Sequence, residues 1–185
     1  MKRWIGLALL LVASGHVLAQ QKLDVAGEWQ HPLLDLRFPE QVGEFSRLQI
    51  TLFSEDYTDG SIGYIFRKPE GRMTITLFVY THESDIAKTE DELRAHFEDM
   101  RAQLGSAFGG TLKPYPGSEF ERPGWMAAAA EIDRADGPPI RTLLLLSTCG
   151  KWFLKVRASF DPALTARFLS EGQRVLDLIN CPADT

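Results

Sequence analysis

Over residues 151–160 the chain alternates without a break. Trp152, Leu154, Val156, Ala158 and Phe160 fall on one side, and Phe153, Lys155, Arg157 and Ser159 on the other. A period of two is a strand, and an apolar side backed by a mixed one places that strand in a sheet with one core face and one partly wet face. Asp161-Pro162 follows at once, an N-cap residue and a proline at the first helical position. Leu164, Phe168, Leu169, Val175, Leu176 and Ile179 then recur as one side of an amphipathic helix running to about Asn180. The strand travels about 33 Å away from the turn that holds Cys149, and an antiparallel helix returns about 27 Å. Cys181 therefore lands near Cys149, and a structural disulfide is expected, closing a loop worth on the order of 3.5 kcal/mol. Two reduced thiols are the alternative. An activated Cys149 beside Gly150 and Lys151 has no helix start or neighbouring histidine to lower its pKa.

Upstream, residues 46–54, 60–67 and 73–81 read as three strands, the second and third joined by Lys68-Pro69-Glu70-Gly71, a hairpin turn. Thr89 and Glu92 fit a capping box, with Leu93, Phe97, Met100 and Leu104 at helical spacing behind it, so a helix over 90–104 ending at Gly105 is expected. Residues 105–117 are rich in glycine and proline. Residues 125–132 contain Ala127 to Ala130, which favour helix by propensity. The length of the segment, the preceding Pro123-Gly124 and the following Asp136-Gly137-Pro138-Pro139 favour a strand paired with 140–148. The order β-β-β-α-β-β-β-α predicts an α+β fold, a single antiparallel sheet of about six strands packed by two helices.

The first nineteen residues have the order of a secretory leader. Lys2 and Arg3 precede an apolar run over residues 5–13, and Val17-Leu18-Ala19 offers small residues before a cut after Ala19. The run is too short for the roughly 20 residues of a membrane span, so no integral membrane segment is expected after processing. Residues 20–185 then form one domain, periplasmic or secreted, in a compartment where disulfides persist. Cleavage removes two of the 20 bases and none of the 25 acids, moving the net charge from −5 to −7. The remaining bases are dispersed along the chain, which argues against nucleic acid and against an anionic membrane surface.

The chain lacks G-x-S-x-G, H-E-x-x-H, G-x-x-x-x-G-K-[ST] and C-x-x-C. No catalytic residue, cofactor or metal site is assigned. His82 precedes the first helix, and Glu92, His96 and Asp99 lie along one of its sides, a set able to ligate a divalent metal or simply to form a solvated charged face. Tyr64 and Phe66 on one strand and Phe78 and Tyr80 on the next are expected to share a face of the hairpin. Such a face either lines a ligand cleft or packs as core.

Phe38-Pro39-Glu40-Gln41-Val42-Gly43-Glu44-Phe45-Ser46-Arg47, then Gly63-Tyr64-Ile65-Phe66-Arg67 and Thr76-Leu77-Phe78-Val79-Tyr80, resemble a group of uncharacterised exported bacterial proteins. That group opens on P-E-x-x-G-x-F-x-R and continues with G-Y-x-x-R and x-V-Y strands. The resemblance brings neither an activity nor catalytic residues. The element order is also similar to the PsbP-like fold of extrinsic photosystem and bacterial accessory proteins, an analogy of fold alone. Together these favour a non-catalytic binding or accessory domain that engages a protein or envelope component, with oligomeric state undetermined. A small periplasmic hydrolase near His82 and His96, or a metal or small-ligand carrier, is the alternative.

Overall fold

The computed structural model describes residues 20–81, 86–104, 111–134 and 137–181, so the leader 1–19, His82 and Gly105 lie outside the described residues. Four short strands open the domain: β1 (Gln21–Leu23), β2 (Trp29–Gln30), β3 (Arg37–Phe38) and β4 (Gln41–Val42). The meander follows as β5 (Phe45–Leu52), β6 (Asp59–Lys68) and β7 (Gly71–Thr81). After α1 (Glu90–Ala102) come β8 (Thr111–Tyr115), β9 (Met126–Arg134), β10 (Gly137–Cys149) and β11 (Trp152–Phe160). A C-terminal helical segment, residues 162–179, completes the chain.

Among the described residues nine strands make one sheet in the order β1-β5-β6-β7-β11-β10-β9-β8, with β4 paired to β5 and with β2-β3 as a separate ribbon. All pairs are antiparallel. The α+β class is therefore as expected, while the count of six strands is corrected to nine. The added strands β1, β4 and β8 are two to five residues long, too short for a period to show. Strand β8 also carries Pro114, tolerated because β8 is the last strand of the sheet. Ala127 to Ala130 lie within β9, all four paired to β10 and the last two also to β8, and this cross-strand packing overrides helix propensity.

The two helices take opposite faces. The C-terminal segment starts where Asp161 accepts a hydrogen bond from the Ala163 amide at 2.8 Å, with Pro162 in the first turn. It buries Leu164, Phe168, Val175, Leu176 and Ile179 against the core face of Ile62, Tyr64, Phe66, Met73, Ile75, Leu77 and the alternate residues of β11. Phe168 stacks on Phe160 at 4.4 Å between ring centroids, while Leu169 is turned away and 38% exposed. On the second face, α1 seats Phe97 and Leu104, with Leu93 and Met100, on Tyr80, Leu144, Leu146 and Phe153. Its capping box is complete: Thr89 Oγ1 accepts from Glu92 N, and Glu92 Oε2 accepts from Thr89 N. Helix α1 covers only the end of this face near Cys149. Towards the other end the second face is built from Ser46, Gln49, Thr51, Ser61, Gly63, Thr74, Thr76, Arg157 and Ser159.

Cys149 and Cys181 are bonded, with Cα atoms 5.4 Å apart, as the strand-out, helix-back geometry requires. Among the described residues no helix is long and apolar enough to cross a membrane. The alternation expected over 46–54 fails at Leu48, because a bulge between Arg47 and Gln49 leaves it 61% exposed.

Candidate functional site

The hairpin register divides the four aromatic residues that were expected to share a face. Its two-residue turn opposes Lys68 to Gly71, so each even-numbered residue of β6 faces an odd-numbered one of β7. Tyr64 and Phe66 point into the core, 1% and 0% exposed, and the Tyr64 hydroxyl donates to the Pro39 carbonyl at 2.8 Å. Phe78 and Tyr80 point to the second face, opposite Ser61 and Asp59. Only the second pair lines a cleft.

That cleft, about 530 Å³, lies along the edge of α1 and is walled by Phe53, Asp59, Phe78, Tyr80, His96, Asp99, Met100, Gln103 and Lys155. The Tyr80 hydroxyl and His96 Nε2 are 2.7 Å apart. Burial, reinforced by the charge of Asp59, pushes the Tyr80 phenol well above its ordinary pKa, so it stays protonated at any physiological pH. The His96 ring also rests on Phe153, centroids 4.7 Å apart, which fixes its plane.

Lys155 comes from β11 and sits opposite Phe78 in the register. Its Nζ lies 4.0 Å from the centroid of Phe78 and 5.3 Å from that of Tyr80. Burial and the neighbouring Arg157 lower its pKa, with Asp59 opposing them. A partly desolvated cation held over aromatic faces is a recognition group for an acidic ligand, because the exchange for bulk water has already been partly made. Among the described residues the walls thus offer apolar surface, one lysine cation, one phenol and two carboxylates.

The polar cluster on α1 does not assemble as one set. His96 and Asp99 reach the cleft, whereas Glu92 is committed to the cap, its Oε2 2.8 Å from both Thr89 N and Thr89 Oγ1. Glu92 sits in the first helical turn, where capping competes with any outward role. Lys155, Asp59 and Phe53 were not singled out in the sequence. The signal for Lys155 was present, since a base on the mixed side of the clearest strand must lie on the second face.

The opening motif proves structural. Arg47 donates to the carbonyls of Phe38, at 2.5 Å, and of Val25. The Glu40 carboxylate accepts from Gly27 N, and the Glu40 carbonyl from Arg47 N. Gly43 turns at φ 55°, and a Cβ there would stand 2.5 Å from Glu171 Oε2. These contacts lash the lead segment to the meander and the C-terminal helix. Compared with known proteins, the chain matches no family model, no curated protein and no solved structure.

Proposed function

We propose that the chain is an exported, non-catalytic binding domain of the cell envelope whose anchor is the cleft beside α1. The observation that carries this reading is Lys155, held over Phe78 and Tyr80 at the wall of a cleft of about 530 Å³. Its lining supplies recognition groups, while the imidazole that a hydrolase would use as base is engaged with a phenol instead of a nucleophile. The ligand class that fits is a small molecule with an apolar body and an acidic group. Export rests on the leader-like residues 1–19, and the Cys149–Cys181 bridge suits an oxidising compartment. The PsbP-like order of elements belongs to the same reading, as an analogy with extrinsic accessory proteins.

The test uses 8-anilinonaphthalene-1-sulfonate, an aromatic sulfonate that matches the lining. The folded protein should bind it saturably at one site, with Lys155→Met weakening binding about tenfold through the lost charge. Tyr80→Phe should weaken it less. Binding that is unsaturable, or equally strong in Lys155→Met, overturns the assignment of the cleft.

A further inference from the structure

A second cavity, of about 450 Å³, opens on the same face at the end of the sheet remote from α1. Arg72 on β7 and Arg134 on β9 stand at its two sides, and Thr74, Ser159 and Ile140 lie between them. Strands β11 and β10 separate the two arginines, so their backbones are about 14 Å apart at the usual strand spacing. Two extended guanidinium side chains can close that gap on a ligand of a few atoms. Arg134 is aimed by the start of β10, its Nε donating to the Pro138 carbonyl at 3.0 Å. Among the described residues one carboxylate lines the cavity, that of Asp161, and it caps the C-terminal helix by accepting from Ala163 N.

Two residues along β11 from Ser159, Arg157 continues the positive surface toward Lys155. Arg157 is half-buried, and burial is what lowers its pKa. Arg67 and Arg72 face each other directly across the β6–β7 register. Among the described residues no carboxylate lies within ion-pair distance of Arg67, Arg72, Arg134 or Arg157, although most other arginines of the domain are paired. Like charges placed opposite one another and a desolvated guanidinium both cost stability, and in this acidic chain an intramolecular partner would be easy to supply. Such an arrangement is made good by an anion from outside.

We propose that Arg72 and Arg134, with the Ser159 hydroxyl between them and with Arg157 behind them, form a binding site for a phosphate-bearing small molecule. The Thr74 hydroxyl is turned to the Ser159 carbonyl at 3.4 Å and shapes the floor. Planar guanidinium groups with a hydroxyl donor between them suit the several oxygens of a phosphate or diphosphate. The site uses none of the residues that wall the cleft beside α1, so either can fail alone.

Titration with inorganic pyrophosphate, followed by calorimetry and by the Nε–Hε resonances of the arginines, tests it. Saturable one-to-one binding is expected, with Arg72→Gln and Arg134→Gln each weakening it about tenfold and Arg94→Gln, on the outside of α1, leaving it unchanged. Arg72 is exposed, so its variant folds and keeps the test valid should Arg134→Gln misfold. Absence of saturation, equal loss in Arg94→Gln, or citrate binding as tightly as pyrophosphate overturns the proposal. Vesicles of phosphatidylglycerol supply the second arm. Sedimentation with them that needs the same arginines places the phosphate on a lipid, and pyrophosphate binding without sedimentation places it on a soluble molecule; either supports the site.

Discussion

Reducing the Cys149–Cys181 bridge isolates the effect of a covalent tie, because the two thiols remain where the sulfurs were. The cysteines are separated by 32 residues. For a loop of that length the chain-entropy relation gives about 3.7 kcal/mol at 25 °C, all of it lost from the unfolded state's constraint. Reduction should not undock the helix. Ile179 is fully buried two residues before Cys181, and Arg122 Nη2 donates to Asp177 Oδ1 at 2.7 Å and to Asn180 Oδ1 at 3.1 Å. Urea unfolding of the oxidised and reduced protein, followed by far-ultraviolet circular dichroism, reads the difference. With a slope of about 2 kcal/mol per molar urea, the midpoint should fall by about 1.8 M while the native spectrum stays the same. Cys149→Ala with Cys181→Ala should lose slightly more, since Cys149 is buried and its sulfur leaves a small void. Midpoints within about 0.3 M of each other would refute the loop-entropy reasoning, and loss of native helix signal on reduction would refute the claim that the docking survives without the bridge.

Three further substitutions probe the fold. Thr89→Ala removes the acceptor for Glu92 N and should cost about 1 kcal/mol in urea unfolding. Gly172→Ala places a Cβ 2.9 Å from Cδ2 of Phe168, whose ring is clamped on Phe160. It should cost about 1–3 kcal/mol, and a neutral result would mean that the Phe168 ring is free to shift. His31 is 3% exposed, and its Nδ1 accepts from Leu33 N at 3.2 Å. Burial, opposed by a hydrogen bond to the Tyr57 backbone, holds its pKa below the ordinary 6.5. The unfolded chain therefore takes up a proton that the folded one refuses, and stability, complete above pH 6.5, falls below it by up to about 1.4 kcal/mol per pH unit. His31→Phe should flatten that slope between pH 5 and 6.5 in denaturation midpoints, and parallel curves would exclude His31 as its source.

Most of the fold was legible because most of it is local. The capping box at Thr89, the Pro162 start of the C-terminal helix and the alternation of β11 each depend on residues within one turn or one strand. The short strands β1, β4 and β8 were not legible, since they exist only as partners of longer neighbours. The candidate site was half legible. Phe78, Tyr80, His96 and Asp99 were named and do line one cleft, whereas Tyr64 and Phe66 entered the core and Glu92 the cap.

By itself the sequence determined the α+β class, the antiparallel meander, the amphipathic side of each helix apart from Leu169 and the pairing of the cysteines, all of which follow from periods of two and 3.6 and from the reach of one strand and one helix. Tertiary structure alone decided which rings face which way, because a hairpin's register assigns every side chain to a face at once. It also decided where the charges gather. Arg72, Arg134, Lys155 and Arg157 are scattered along the chain, but β7, β11, β10 and β9 lie side by side in the sheet, and face parity turns all four bases to its second face. Strand order is set by the total burial of the core, a property of the whole chain that no local stretch of residues encodes.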